Sequence, residues 1–148
     1  MTIHIATHSD ISHWITLRAA LWPDTSIDDH HTETTEILAG CPHQCIAFVY
    51  NDGNSIIAFA EASLRHDHVN GCVTSPVAFL EGIFVKPEHQ GTGIGRKLLT
   101  AVQPWAQERG SQELASDADL SNSASHAFHA ALGFAETERV VYFRKLLP

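Results

Sequence analysis

Apolar residues recur at two periods along this chain, alternating with polar ones in some stretches and returning every three or four positions in others. Thr2 to Ala6 alternates as a first strand. Ser9 is placed to cap a helix that carries Ile11, Trp14, Ile15, Leu21 and Trp22 until Pro23 stops it. A second helix is predicted from about Asp28 to Leu38, closed by Gly40. Gln44 to Tyr50 and Ser55 to about Arg65 read as strands joined by Asn51-Asp52-Gly53-Asn54, whose Asp-Gly pair suits a hairpin turn. After a polar loop from His66 to Ser75, a third strand runs through Val77 to Val85, bounded by Pro76 and Pro87. Ile94, Leu98, Leu99, Val102, Trp105 and Ala106 then mark a long amphipathic helix, and Leu114 to Asp117 a short strand. Ala124, Ala127, Phe128, Ala131 and Leu132 mark a second amphipathic helix that Gly133 ends. Val140, Val141, Tyr142 and Phe143 form a predicted final strand. This order predicts an α+β fold with a mixed, mostly antiparallel central sheet flanked by helices.

Composition narrows the function classes. A length of 148 residues with 44% hydrophobic positions suits one compact domain, 1–148. A formal charge of −8 disfavours a nucleic-acid partner and favours a cationic one. Acidic residues gather from Asp24 to Glu36 and recur at Glu81, Asp117, Asp119, Glu136 and Glu138, whereas Arg96 and Lys97 lie beside a glycine-rich loop. Neither a leader pattern nor a membrane-length apolar run is visible, so a soluble, cytoplasmic protein is expected. Three cysteines give no disulfide framework. Cys41-Pro42-His43-Gln44-Cys45, with His30-His31 upstream, does not match paired zinc knuckles, so this segment reads as a turn entering a strand and no metal is expected.

The loop Gln90-Gly91-Thr92-Gly93-Ile94-Gly95-Arg96 joins the third strand to the long helix through backbone with few side chains. Glycines let N–H groups approach an anion, and the helix start adds partial positive charge, so a phosphate-bearing ligand is expected. The spacing is neither that of a P-loop nor the G-x-G-x-x-G of dinucleotide binders. A plain helix-capping turn is the alternative. Gln90, Gly93 and Gly95 instead fit Gln/Arg-x-x-Gly-x-Gly/Ala, and the loop resembles the acetyl-CoA signature of the GCN5-related N-acetyltransferases (GNAT). Asn122, which starts the second amphipathic helix, and the terminal Leu132-Gly133-Phe134 resemble the same family. Where that family carries a tyrosine, the usual proton donor to the departing thiolate, this chain has His129.

Further segments resemble the aminoglycoside 6′-N-acetyltransferases: Leu21-Trp22-Pro23, Ala62 to Asp67, Val69-Asn70-Gly71, Phe79 to Val85, Ala115-Ser116-Asp117 and Glu136 to Val140. The resemblance implies the GNAT fold and acetyl transfer from acetyl-CoA to the 6′-amine of kanamycin, tobramycin or amikacin, conferring resistance. It implies that Ile83, Phe84 and Val85 align the pantetheine arm, that Gly91, Thr92, Gly93, Ile94, Gly95 and Arg96 hold the pyrophosphate, and that Asn122 meets the pantetheine or its carbonyl. It also points to the position of His68, where relatives carry a tyrosine that contacts substrate, and to a homodimer formed through the final strands.

Carboxylates in apolar strands need partners, which for Glu81 and Asp117 are either Arg65, Arg139 or a backbone donor, or the ammonium groups of a substrate. On the second reading Glu81, Asp117 and Glu138 bind amines, and Trp22 offers a flat face to a sugar, unless it is a core aromatic. Glu81 or Asp117 is the candidate base, the alternative being binding of a neutral amine with no single base. His129 is a candidate acid or a packing residue, with Tyr142 a further candidate. A fold relative acting on a polyamine or peptide amine, and a non-catalytic acyl-CoA binder, are the competing functions.

Overall fold

The computed structural model describes residues 2–40 and 44–148. Its contacts divide the chain into two compact units, one ending at Asp117 and one of Ala118–Pro148. The first holds a five-stranded sheet in the order β1 (Thr2–Ile5), β2 (Cys45–Asn51), β3 (Ile56–Arg65), β4 (Val77–Val85), β5 (Leu114–Ala115). The first four strands pair antiparallel and β4 pairs with β5 in parallel. Helices α1 (Ile11–Leu21), α2 (Ile27–Gly40) and α3 (Ile94–Glu108) complete this unit. The second holds α4 (Ser123–Ala131). The element order and the mixed, mostly antiparallel sheet agree with the sequence. Cys41-Pro42-His43 lies outside the described residues, and the described residues contain no cluster of metal-binding side chains.

Alternation along β3 divides the core. Phe59 joins Trp14, Leu17, Ala47, Val49 and Ile56 in one cluster with α1. Ala58, Ala60 and Ala62 therefore point to the opposite face, where small side chains let α3 approach with its buried Leu98, Leu99, Val102 and Trp105. Trp14 is fully buried, and truncating such a side chain costs about 3–5 kcal/mol.

Three expectations need correction. Ser9 does not cap α1, because residues His8–Asp10 form a 3-10 turn in which the Asp10 carboxylate accepts the Thr7 N–H at 2.8 Å. The β5 ladder stops at Ala115, so Asp117 lies two residues beyond it. Val140–Phe143 joins no ladder among the described residues, and Val141, Tyr142 and Phe143 are exposed. Alternating apolar residues supply a strand's faces, but a strand also needs a backbone partner, which local pattern does not provide.

Candidate active site

Two irregularities of β4 build the site. Ala62 pairs with Leu80 and Glu61 with Gly82, which leaves Glu81 as an extra residue in a bulge. Alternation puts Glu81 on the side of β3 that bears Ser63 and Arg65, and the bulge brings Gly82 to the same side, against Trp22. β5 meets β4 only at Ala78 and Phe79 before the two strands part. Beyond that point the β5-facing edge of β4, which includes Ile83, Phe84 and Val85, has no strand beside it among the described residues. Such an edge offers N–H and C=O groups to an extended ligand.

The glycine loop follows this open edge. Gly91 and Gly93 have φ of 77° and 86°, a region L side chains rarely adopt, and a Cβ on either would meet nothing within 4 Å. Their conformation excludes side chains, and the space above them is open. The Gln90 side-chain amide donates to the Val85 carbonyl at 3.0 Å, and Thr92 donates to His89 O at 2.6 Å, tying the loop to the end of β4. The first α3 bond runs from Lys97 N–H to Gly93 O, 3.1 Å, so the N–H groups of Ile94 and Gly95 have no helical acceptor. This loop fits a pyrophosphate.

The opposite face carries the carboxylates. A cavity of about 350 Å³ is lined by Arg18, Glu33, Glu36, Glu61, Ser63 and Glu81, together with Ile37, Cys45 and Ala62. Glu81 is not buried, its side chain being 36% exposed. Its Oε1 accepts Ser63 Oγ at 2.5 Å and Arg65 Nη2 at 2.9 Å, and its Oε2 accepts the same Nη2 at 3.0 Å. Arg65 is thus the partner that the sequence offered as one alternative for Glu81. Asp117 is exposed too, and within the second unit Arg139 pairs with Glu136.

The carboxylate that is buried is Glu61, which sequence reasoning missed although it interrupts Phe59 to Ala62 much as Glu81 interrupts β4. Trp14 Nε1 donates to its Oε2 at 3.0 Å, and Arg18 Nε lies 3.4 Å away. Arg18, itself buried, also bonds Glu33. Burial raises Glu61 to about 7 and outweighs the Arg18 charge and the Trp14 hydrogen bond. Between the unperturbed 4.5 and about 7 the folded state holds more proton than the unfolded one. Stability therefore falls as pH rises through this window and levels off above it. Asp10 and Glu113, whose values are lowered, act below it. Thermal unfolding followed from pH 5 to pH 8 is expected to show this decline in the native protein and to lose it in E61Q; an equal slope in both would assign it elsewhere.

Trp22 stands at the C-terminus of α1 and lies directly on Gly82, where a Cβ would come within 2.5 Å of its ring. Phe59 packs behind it at 6.1 Å, Arg18 stacks at 4.9 Å, and His30 Nε2 lies 3.3 Å from its carbonyl. Its ring is therefore both packed and beside Glu81. His68 is exposed on a loop pinned by buried Val69 and by Glu113, which accepts the N–H groups of Val73 at 3.0 Å and Thr74 at 2.8 Å.

In the second unit, Asn122 caps α4 by accepting the Ser125 N–H at 3.1 Å. His129 Nδ1 lies 2.8 Å from the Ser125 carbonyl and 3.3 Å from the Ser125 hydroxyl. Phe134 packs edge-on to the His129 ring at 5.3 Å. Glu138 and Tyr142 are exposed.

A glycine-bound helix start beside an open strand edge, on the sheet described, places the protein among acyltransferases that grip a phosphate-bearing acyl donor. The chain belongs to the acetyltransferase (GNAT) family, whose model matches residues 14–134. Over 145 residues it is 49% identical to the aminoglycoside N(6′)-acetyltransferase type 1 of Serratia marcescens, across 98% of this chain and 99% of that protein. The apo crystal structure of the 6′-N-acetyltransferase AAC(6′)-IG of Acinetobacter haemolyticus matches with a TM-score of 0.94 at 40% identity, covering 100% of both chains. AAC(6′)-Iy in complex with the bisubstrate analogue CoA-S-monomethyl-acetylneamine matches with a TM-score of 0.92 at 42% identity, over 99% of this chain and 98% of that one.

Proposed function

We propose that this protein transfers the acetyl group of acetyl-CoA to the 6′-amino group of aminoglycoside antibiotics, inactivating them, by direct attack in a ternary complex. The observation that carries the reading is Glu81 in the β4 bulge, facing an acidic cavity and adjoining the open strand edge that leads to the glycine loop. Full-length similarity to aminoglycoside 6′-acetyltransferases supports the acceptor.

On this reading Gly91 to Arg96 hold the pyrophosphate, Asn122 meets the pantetheine, and the β4 edge at Ile83, Phe84 and Val85 aligns the acyl arm. An N–H of Ile83 or Phe84 donates to the carbonyl oxygen as it becomes negative. The acceptor amine gives a proton to Glu81 or Asp117 and its nitrogen bonds to the carbonyl carbon; the C–S bond then breaks and the thiolate leaves, with charged His129 Nε2 the candidate to protonate it. Trp22, His68 and Glu138 complete the acceptor side. A covalent acyl-cysteine is disfavoured, because burial and the Glu113 carboxylate push the Cys72 thiol up, away from its nucleophilic form.

The family match crosses both units, which supports a single catalytic domain. The uncovered Val140, Val141, Tyr142 and Phe143 support a homodimer in which this segment gains the strand partner it lacks. Light scattering behind size exclusion is expected to give twice the 16.2 kDa chain mass, and a chain of monomeric mass would remove the dimer. Acetyl-CoA supply places the reaction in the cytoplasm. A thiol-release assay with acetyl-CoA and a panel of amines tests the acceptor: release with kanamycin and tobramycin is expected, and release with spermidine or peptides but neither drug would reassign the substrate.

A further inference from the structure

The carboxylate expected to meet the acceptor amine already holds a cation. Arg65 Nη2 reaches Oε1 of Glu81 at 2.9 Å and Oε2 at 3.0 Å, and its Nε lies 3.3 Å from Oε1. Its guanidinium also covers the Phe79 ring, 3.5 Å from the centroid. Resting on the substrate assignment above, we propose that Arg65 is a specificity-determining residue: it occupies Glu81 in place of the acceptor's ammonium, so that an acceptor with several positive charges displaces it and a monoamine does not.

Three features of the site support an exchange over a fixed structural pair. The Arg65 and Glu81 side chains are 43% and 36% exposed, so water screens the pair and it separates at small cost. The guanidinium already rests on Phe79, which still holds it as a cation on an aromatic face when the carboxylate is taken. The cavity wall carries Glu33, Glu36 and Glu61 besides Glu81, and Arg18, the one cation among its described lining residues, is buried and engaged with Glu33. Exchanging one cation for another at Glu81 gives little net affinity. A second ammonium on Glu36 supplies the difference, and that contact exists only for an acceptor with more than one amine.

R65M, which keeps an apolar chain over Phe79 while removing the charge, is the direct test, with R65K retaining charge without the planar fork. The KM for kanamycin in R65M is expected to fall about two- to fivefold, the gain expected from removing an exposed competing pair. Turnover of 6-amino-6-deoxyglucose, which has one amine, is expected to rise by a larger factor, with the acetyl-CoA KM unchanged and R65K close to the native enzyme. A raised kanamycin KM in R65M would mean that Arg65 positions Glu81, and unchanged constants for both acceptors would mean that it plays no part in acceptor choice; either overturns the inference. Native enzyme that fails to acetylate kanamycin would instead remove the substrate assignment, and this inference with it.

Discussion

Replacing Glu81 by Gln is expected to lower kcat for kanamycin by about 10²-fold, the lower end of what a positioned general base contributes. The acetyl-CoA KM should stay within about twofold, because the glycine loop and the β4 edge are untouched. Glu81 is the extra residue of the bulge, between Leu80 opposite Ala62 and Gly82 opposite Glu61, and it bonds Ser63. Alternation from Phe79, which lies opposite Ser63, puts Glu81 on that face, and the bulge keeps Gly82 and the Trp22 ring above it on the same side. The substitution keeps side-chain length and an oxygen for Ser63 and Arg65, and the site is partly exposed, so folding should be little affected. Steady-state rates with both substrates varied separate the cases. A rate equal to that of the native enzyme would remove Glu81 as base and favour binding of a neutral amine, or Asp117.

The second large effect is expected at Gly82. A Cβ there would lie 2.5 Å from Trp22 Cη2, 2.6 Å from Cζ2 and 3.2 Å from Leu21 Cδ2. Phe59 at 6.1 Å and the stacked Arg18 at 4.9 Å restrict the ring's retreat, so in G82A it must shift relative to Glu81. Overpacking of this kind costs about 1–3 kcal/mol. We expect the kanamycin KM to rise about tenfold or more, a loss of about 1.4 kcal/mol or more in acceptor binding, with acetyl-CoA binding preserved. Calorimetric titration of G82A with each ligand, alongside its melting curve, checks this. Reduced stability with unchanged drug affinity would leave Trp22 as a core aromatic only.

Much of this architecture was legible because its signals are local. Alternation, the Asp-Gly turn and the apolar spacing from Ile94 to Ala106 specify their own elements, and Gly91 and Gly93 of the loop stand at positive φ, where L side chains are strained. The spacing of Gln90, Gly93 and Gly95 could be read without knowing what lies across the sheet. The carboxylates were harder. Glu61 and Glu81 both interrupt apolar strands, yet one is buried against Trp14 and Arg18 while the other opens to solvent beside Arg65. What separates them is the packing of α1 and α2 and a bulge in the pairing of β3 with β4, both of which are long-range. The segment Val140–Phe143 shows the same limit: it carries strand pattern but no strand partner among the described residues.

The same division governs His129: its place in α4 follows from sequence, but the contacts of its Nδ1 with the Ser125 carbonyl at 2.8 Å and the Ser125 hydroxyl at 3.3 Å come only from the structure.

Locating the new amide bond tests the central claim most directly. Tandem mass spectrometry of the product from kanamycin and acetyl-CoA is expected to show one acetyl group on the 6′ nitrogen, and the analogue with a hydroxyl at that position should release no thiol. Acetylation at another amine, or equal turnover of the hydroxyl analogue, would contradict the account.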